Sequence, residues 1–234
     1  LLGHMSGETD DTARLRTFYT AVYHASFFPA IFNDVTGQYR GADGFLYEDT
    51  TDTYTIFSLW DTYRSANPLY TITAPERVGD FVNTFIRIFE QQGKVPVWHL
   101  AGNETDCMVG FGSVQVIADA ILKGIPGFDV EKAYHAIVSY AKLDERGLKQ
   151  IREKGYIPAD GEWESVAKAL EYCISDWSIA QVAKKLGKQE DYEYFIERSK
   201  NYRHYFDTTD RFMKGKLADG SWRTPFNPDY PPHR

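Results

Sequence analysis

Pro75-Glu-Arg-Val78-Gly-Asp-Phe81-Val82-Asn-Thr-Phe85-Ile-Arg-Ile88-Phe89-Glu-Gln-Gln-Gly93 decides the class of this chain. Val78, Phe81, Val82, Phe85, Ile88 and Phe89 recur at three- and four-residue steps, which gathers them on one stripe of a helix with charged residues opposite. Proline is tolerated in a first helical turn and glycine commonly follows a last one, so Pro75 and Gly93 mark the ends. Upstream, Leu15, Phe18, Val22, Ala25 and Phe28 repeat the step, with Asp10 and Asp11 available as caps and Pro29 as the stop. Tyr54-Thr-Ile-Phe57 is β-branched and aromatic, and Leu59-Trp-Asp-Thr-Tyr-Arg64 then resumes a helical step ending near Pro68. Downstream, the spacing predicts helices over 114–122, 130–140, 161–186 and 189–206, about seven in all.

Between them lie long loops. Residues 33–52 are glycine-rich and read as a loop with a short hairpin from Gly41 to Gly44. Residues 95–112 read as irregular. The tail from Asp207, with Asp219-Gly220, Pro225, Pro228, Pro231 and Pro232, reads as turns without regular structure. Residues 1–10 are a polar segment that fits a tag or linker remnant as well as native sequence. The chain is therefore mostly all-α. Helix pairs fit an α-solenoid or an α/α toroid, but no 34-residue repeat occurs, and long dissimilar loops usually carry a site. A partial (α/α)6 toroid is the expected fold.

Composition narrows the function. The 234 residues are 43% hydrophobic and 25% charged, enough for a sizeable core. Twenty-six basic residues against 33 acidic ones give a net charge of -7 with no basic block, which disfavours a nucleic-acid partner. No run approaches the roughly 20 apolar residues of a membrane span. Cys107 and Cys173 can form one disulfide at most and build no zinc framework. Aromatic residues make up 15%, which suits a cleft for sugar rings as well as a core rich in Phe and Tyr.

Three segments concentrate candidate chemistry. In Phe57-Ser-Leu-Trp60-Asp61-Thr-Tyr-Arg64 an indole adjoins a carboxylate. A carboxylate accepts hydrogen bonds from vicinal hydroxyls and an indole covers the apolar side of a pyranose, though an acid at a helix start also fits an ordinary cap. Trp98-His-Leu-Ala-Gly-Asn103-Glu104-Thr-Asp106-Cys107-Met108 offers acids, an amide and an imidazole. It fits equally a loop whose Asn and Thr satisfy their own backbone. Gly161-Glu-Trp163-Glu164-Ser165, with Glu171, Asp176 and Trp177, reads mainly as a helix start and one helical face. Phosphate-loop, nucleophile-elbow and paired-histidine metal signatures are all missing.

Read together, several segments resemble glycoside hydrolase family 92, the calcium-dependent α-mannosidases. They are Thr17-Phe-Tyr-Thr-Ala-Val-Tyr-His24, Asp34-Val-Thr-Gly-Gln-Tyr-Arg-Gly41, residues 54–64, Asn103-Glu-Thr-Asp-Cys-Met108, Val116-Ile-Ala-Asp-Ala-Ile-Leu-Lys-Gly124, Gly155-Tyr-Ile-Pro-Ala-Asp160, Leu170-Glu-Tyr172, Asp176-Trp177 and Asp219-Gly-Ser-Trp-Arg-Thr-Pro-Phe226. The likeness runs in order from Thr17 to Pro228. It implies that residues 11–234 are the middle portion of an α/α-barrel catalytic domain, with an N-terminal β-sandwich and the remaining barrel half as intramolecular partners. It further implies removal of terminal, α-1,2-type mannose from glycans with inversion, calcium as cofactor, and a secreted or periplasmic location.

In that family the acid lies in a Glu-Gly-Asn segment and the base in a Gly-Asn-Asp-Asp segment, both after the Trp-Arg-Thr-Pro-Phe landmark. Neither occurs before Arg234, so no catalytic residue is expected in this chain, and the metal ligands are not identified in it. Trp60 and Asp61 match the family's Trp-Asp of the mannose subsite, and Asn103 and Glu104 match a landmark near the pocket. Those four are the expected substrate-binding residues. Gly112 stands where many relatives carry His, and Ser175 where Asp is usual before Asp176-Trp177. The competing readings are a non-catalytic helical carbohydrate-binding protein and an α-solenoid interaction module.

Overall fold

The computed structural model describes residue 3 and residues 5–229; His4, Pro231 and Pro232, placed in the polar segment and the turn-rich tail above, lie outside the described residues. The helices are α1 (Thr12–Ala25), α2 (Leu59–Thr62), α3 (Ala66–Thr73), α4 (Pro75–Gln92), α5 (Ser113–Lys123), α6 (Val130–Ala141), α7 (Leu148–Lys154), α8 (Ser165–Lys185) and α9 (Gln189–Arg198), followed by a 3₁₀ helix, Ser199–His204. The decisive stripe behaves as its spacing requires. Val78, Phe81, Val82, Phe85 and Ile88 are buried on α4, and Gly93 closes it in the left-handed conformation. Around α4 lie α3, α5 and α6, while α8 packs on α5, α6 and α9. The shared core holds Leu59, Val82, Phe85, Ile117, Ile137, Tyr140, Tyr172 and Phe195.

Short strands join these helices. They are β1 (Ala30–Ile31), β2 (Gln38–Arg40), β3 (Leu46–Glu48), β4 (Tyr54–Thr55), β5 (Phe57–Ser58), β6 (Trp98–Leu100), β7 (Asn103–Glu104), β8 (Phe206–Asp207) and β9 (Phe212–Met213). The expected hairpin is the β2–β3 pair, connected through Gly41 and Gly44. Strands β5, β6 and β7 form an antiparallel sheet in that order. Ile56 separates β4, which pairs with β1, from β5, and its φ of 64° lets the chain change sheets. A β-branched residue there costs on the order of 1–2 kcal/mol, which the flanking pairings must offset.

Several expectations are corrected. Residues 95–112 are not irregular, because β6 and β7 pair within them; strands of two or three residues leave no readable alternation. The tail likewise forms the β8–β9 hairpin and a bridge between Lys216 and Trp222. Pro68 does not stop a helix. It sits in the first turn of α3, where a missing N–H removes no intrahelical bond. Helix α8 begins at Ser165, four residues after Gly161, because Glu164 in the left-handed region (φ 54°) ends the preceding turn. The unexpected α7 buries Leu148 and Ile151, too few residues to show a period.

Helix α1 ends at Ala25, short of Phe28, with Asp11 as its cap accepting the backbone N–H groups of Ala13 and Arg14. No residue of α1 is buried, and Tyr23, Phe27 and Phe28 are about half exposed. Its end is held by Tyr70, whose hydroxyl lies 2.6 Å from the Ala25 carbonyl and 2.8 Å from that of Phe28. Cys107 and Cys173 are both free. None of the described helices is long and apolar enough to cross a membrane.

Candidate sugar-binding site

The site begins where β5 runs straight into α2. Leu59 is fully buried, so the next residues, Trp60 and Asp61, emerge at the edge of the core. Glycine makes this seat possible. A Cβ on Gly112 would stand 2.6 Å from the Leu59 carbonyl oxygen, so α2 can rest on the start of α5 only because this position has no side chain.

Asp61 is exposed, and its Oδ2 accepts the Ser58 hydroxyl at 2.5 Å. Ser58 is the residue before α2, so this bond spans the first turn; no side chain caps the helix through its backbone N–H groups. The Trp98 indole N–H donates to the same Ser58 Oγ at 3.0 Å. Trp98, Ser58 and Asp61 thus form one hydrogen-bonded chain, with β5 and β6 paired at Ser58 and Trp98.

Trp60 belongs to a second group. Its indole N–H donates to Glu171 Oε1 at 3.2 Å, Arg64 donates to the same oxygen at 2.5 Å, and the Tyr63 hydroxyl donates to Oε2 at 2.9 Å. The Arg64 guanidinium also lies over the Trp60 ring, 5.0 Å from its centre, and 4.6 Å from that of Tyr63. Burial, reinforced by the Glu171 charge and hydrogen bond, pushes the Tyr63 phenol up to about 12. It therefore stays protonated and donating. Arg64 is raised as well: burial opposes its charge, and the Glu171 hydrogen bond and charge outweigh it.

The other two expected residues lie on the β6–β7 hairpin and do different work. Ala101 and Gly102 are both left-handed (φ 48° and 79°), the conformation of a two-residue hairpin turn. Asn103 is exposed and donates its amide to the Ala101 carbonyl at 3.0 Å, within this turn. Glu104 turns back under the loop. Its Oε2 accepts the N–H of Val97 at 2.8 Å, and Oε1 accepts those of Trp98, Thr105 and Asp106, each at 2.9 Å. Beside it, His99 is buried without a hydrogen-bond partner on either ring nitrogen, and burial lowers its pKa against the opposing Glu104 charge.

Trp60 and Asp61 are therefore brought together at an exposed edge, while Asn103 and Glu104 brace the neighbouring hairpin. Ser58, Trp98 and Glu171 lie within the candidate segments but are not among the four expected substrate-binding residues. For Glu171 no local signal exists, since its donors lie 107 to 111 positions away. In the third segment, Glu162 pairs with Lys168 at 2.5 Å, Asp176 pairs with Arg198 deep in the core, and Trp163 and Trp177 are exposed.

The carboxylates of the described residues do not build a calcium site. Among the described residues no three His, Cys, Asp or Glu side chains converge to hold a metal. Glu171 already accepts three hydrogen bonds and Glu104 four, from partners with which a cation would have to compete.

Residues 1–234 match the glycosyl hydrolase family 92 catalytic domain. A family GH92 α-mannosidase from Bacteroides thetaiotaomicron is 42% identical, with a TM-score of 0.93 over 97% of this chain and 31% of its own. A family GH92 inverting mannosidase from the same species is 33% identical, with a TM-score of 0.85 over 97% of this chain and 32% of its own. An uncharacterized secreted glycosidase of Arthroderma benhamiae is 29% identical over 66% of this chain and 22% of its own length. The chain thus spans less than a third of the length of the solved relatives. Their catalytic domain is an α/α toroid, and the helices described above are part of that architecture.

Proposed function

This chain belongs to glycoside hydrolase family 92, and from that membership we propose that it forms part of the catalytic domain of an exo-acting α-mannosidase, to which it contributes one wall of the sugar subsite. The observation that carries the reading is the Trp60–Asp61 pair, with each side chain held by its own network at an exposed edge. The indole offers an apolar surface to one side of a hexose, and the carboxylate accepts from adjacent hydroxyls. The substrate is a terminal α-linked mannose of a glycan, of the α-1,2 type. Asn103 and Glu104 support sugar binding by holding the hairpin that carries Trp98.

Hydrolysis proceeds with inversion, using an acid and a base roughly 6.5 to 9.5 Å apart with water between them. Both come from Glu-Gly-Asn and Gly-Asn-Asp-Asp segments outside this chain, and most of the ligands of calcium lie outside it as well. The remaining barrel half and an N-terminal β-sandwich complete the enzyme. The exposed aromatic residues of α1 support this, since unburied aromatic groups on one helix invite a covering surface. The relative named as secreted supports a secreted or periplasmic location.

The test is mannose release from an α-mannoside by the complete enzyme and by this chain alone. The complete enzyme should turn over and the chain should not, because losing the proton-transfer partners removes roughly 100- to 10,000-fold. Asp61→Asn in the complete enzyme should lower kcat/KM at least about tenfold, or roughly 1.4 kcal/mol, with an almost unchanged melting temperature. An amide replaces one charged acceptor with a donor there, while its oxygen can still accept from Ser58. Inactivity of the complete enzyme on α-mannosides, or turnover by the chain alone, overturns the reading.

A further inference from the structure

We propose that Glu171 is the positioning residue of the sugar subsite: by collecting the Trp60 indole N–H, the Tyr63 hydroxyl and the Arg64 guanidinium on one carboxylate, it fixes Trp60 as a platform with a single free face. The inference rests on the reading of Trp60 and Asp61 as sugar-binding residues and extends it to a residue 111 positions away.

Glu171 is itself packed in place. Only 13% of its side chain is exposed, and it sits on the second turn of α8 immediately before Tyr172. Tyr172 is fully buried, stacks on Phe111 at 4.9 Å and donates its hydroxyl to the Arg146 carbonyl at 2.9 Å. From the other side the Gly110 backbone presses on Glu171. A Cβ at Gly110 would come within 2.6 Å of the Glu171 Cβ, and its φ of +72° is one that L side chains rarely adopt. Every donor on this carboxylate therefore meets a rigid acceptor.

The three donors lie within five residues, on α2 and the turn after it, a segment too short to hold its own geometry. With the indole N–H directed at Glu171, the pyrrole edge of Trp60 faces the protein. With Arg64 stacked on one ring face, only the opposite face remains for a ligand. Trp60 then contributes apolar contact and no hydrogen bond, so Asp61 is the hydrogen-bonding member of the pair. Small errors in the placement of such groups weaken recognition steeply. Glu171 thus acts on the sugar through Trp60 without touching it.

The experiment is a double-mutant cycle in the complete enzyme, with Glu171→Gln, Trp60→Phe and their combination, read by steady-state kinetics on an α-mannoside and by near-ultraviolet circular dichroism without sugar. Phenylalanine keeps an aromatic face but has no N–H for Glu171. We expect Glu171→Gln to raise KM on the order of tenfold with kcat changed less than about twofold, and to alter the tryptophan dichroism. In the Trp60→Phe background the same substitution should raise KM by clearly less than in the parent, because the indole link is already cut and only the Tyr63 and Arg64 bonds remain to be lost. Tyr63→Phe, which removes a different donor, supplies a milder variant should Glu171→Gln fold poorly, and should give a smaller rise in KM. Equal KM in Glu171→Gln and the parent, or a full additional loss in the Trp60→Phe background, overturns the positioning role alone. A parent enzyme that does not act on α-mannosides, with the dichroism change still present, overturns the sugar-site reading and with it this role.

Discussion

Replacing Glu104 by Gln distinguishes a brace from a sugar ligand, and the hydrogen-bond geometry sets the size of the effect. The amide can place its oxygen at the present Oε1 and keep the bonds to Trp98, Thr105 and Asp106. Each becomes a neutral bond, a loss of about 1 kcal/mol apiece at most, since charge-assisted bonds contribute roughly 1.5–3 kcal/mol and neutral ones about 0.5–1.5. The amide nitrogen then faces the Val97 N–H, donor against donor, and Val97 is 1% exposed. Leaving that N–H unpaired costs about 1–3 kcal/mol. Relaxation and solvent near this half-buried loop reduce the sum, so we expect a loss of roughly 2–4 kcal/mol in urea denaturation, or a fall in Tm on the order of 5–12 °C. Trp98 leaves its place with the loop, so its bond to Ser58 should weaken and the fluorescence of the folded protein should change. A stability change below about 0.5 kcal/mol together with weaker sugar binding would refute the reasoning and make Glu104 a direct ligand.

Two further expectations concern the core. Arg198 donates to Asp176 from Nε at 2.7 Å and from a terminal nitrogen at 2.5 Å, and burial pushes the Asp176 carboxyl up against the lowering effect of Arg198. Arg198→Met should cost about 3–5 kcal/mol in chemical denaturation, and adding Asp176→Leu should recover much of it, because the unpaired buried charge is the main penalty. His99 has a folded-state pKa below its usual 6.5, so the unfolded chain binds its proton first. Stability from this group is complete above about pH 6.5 and declines as pH falls below it, by at most about 1.4 kcal/mol per pH unit. Urea titrations of the parent and His99→Leu from pH 7.5 down to 5.5 should show a shallower decline in the variant; parallel curves would mean that the ring binds its proton equally well in the folded and unfolded chains and would refute the effect of burial.

What the sequence determined by itself was whatever depends on near neighbours. The stripe from Val78 to Phe89 makes α4 a helix in any context that offers an apolar surface, and Trp60 and Asp61 are adjacent however the chain folds. The landmark segments also placed the chain in its family, because their order survives translation into structure. Pairing was beyond its reach. Strands β6 and β7 are stabilised by partners and by the Glu104 carboxylate beneath them, neither of which leaves a period in two or three residues. Glu171 looks like any acid on a helical face until α8 packs on α5 and α2 settles on Gly112, which brings three donors from residues 60–64 to one carboxylate. Hydrogen bonds act over about 3 Å in space and over any distance along the chain, so the site's outline was local while its geometry belonged to the tertiary structure.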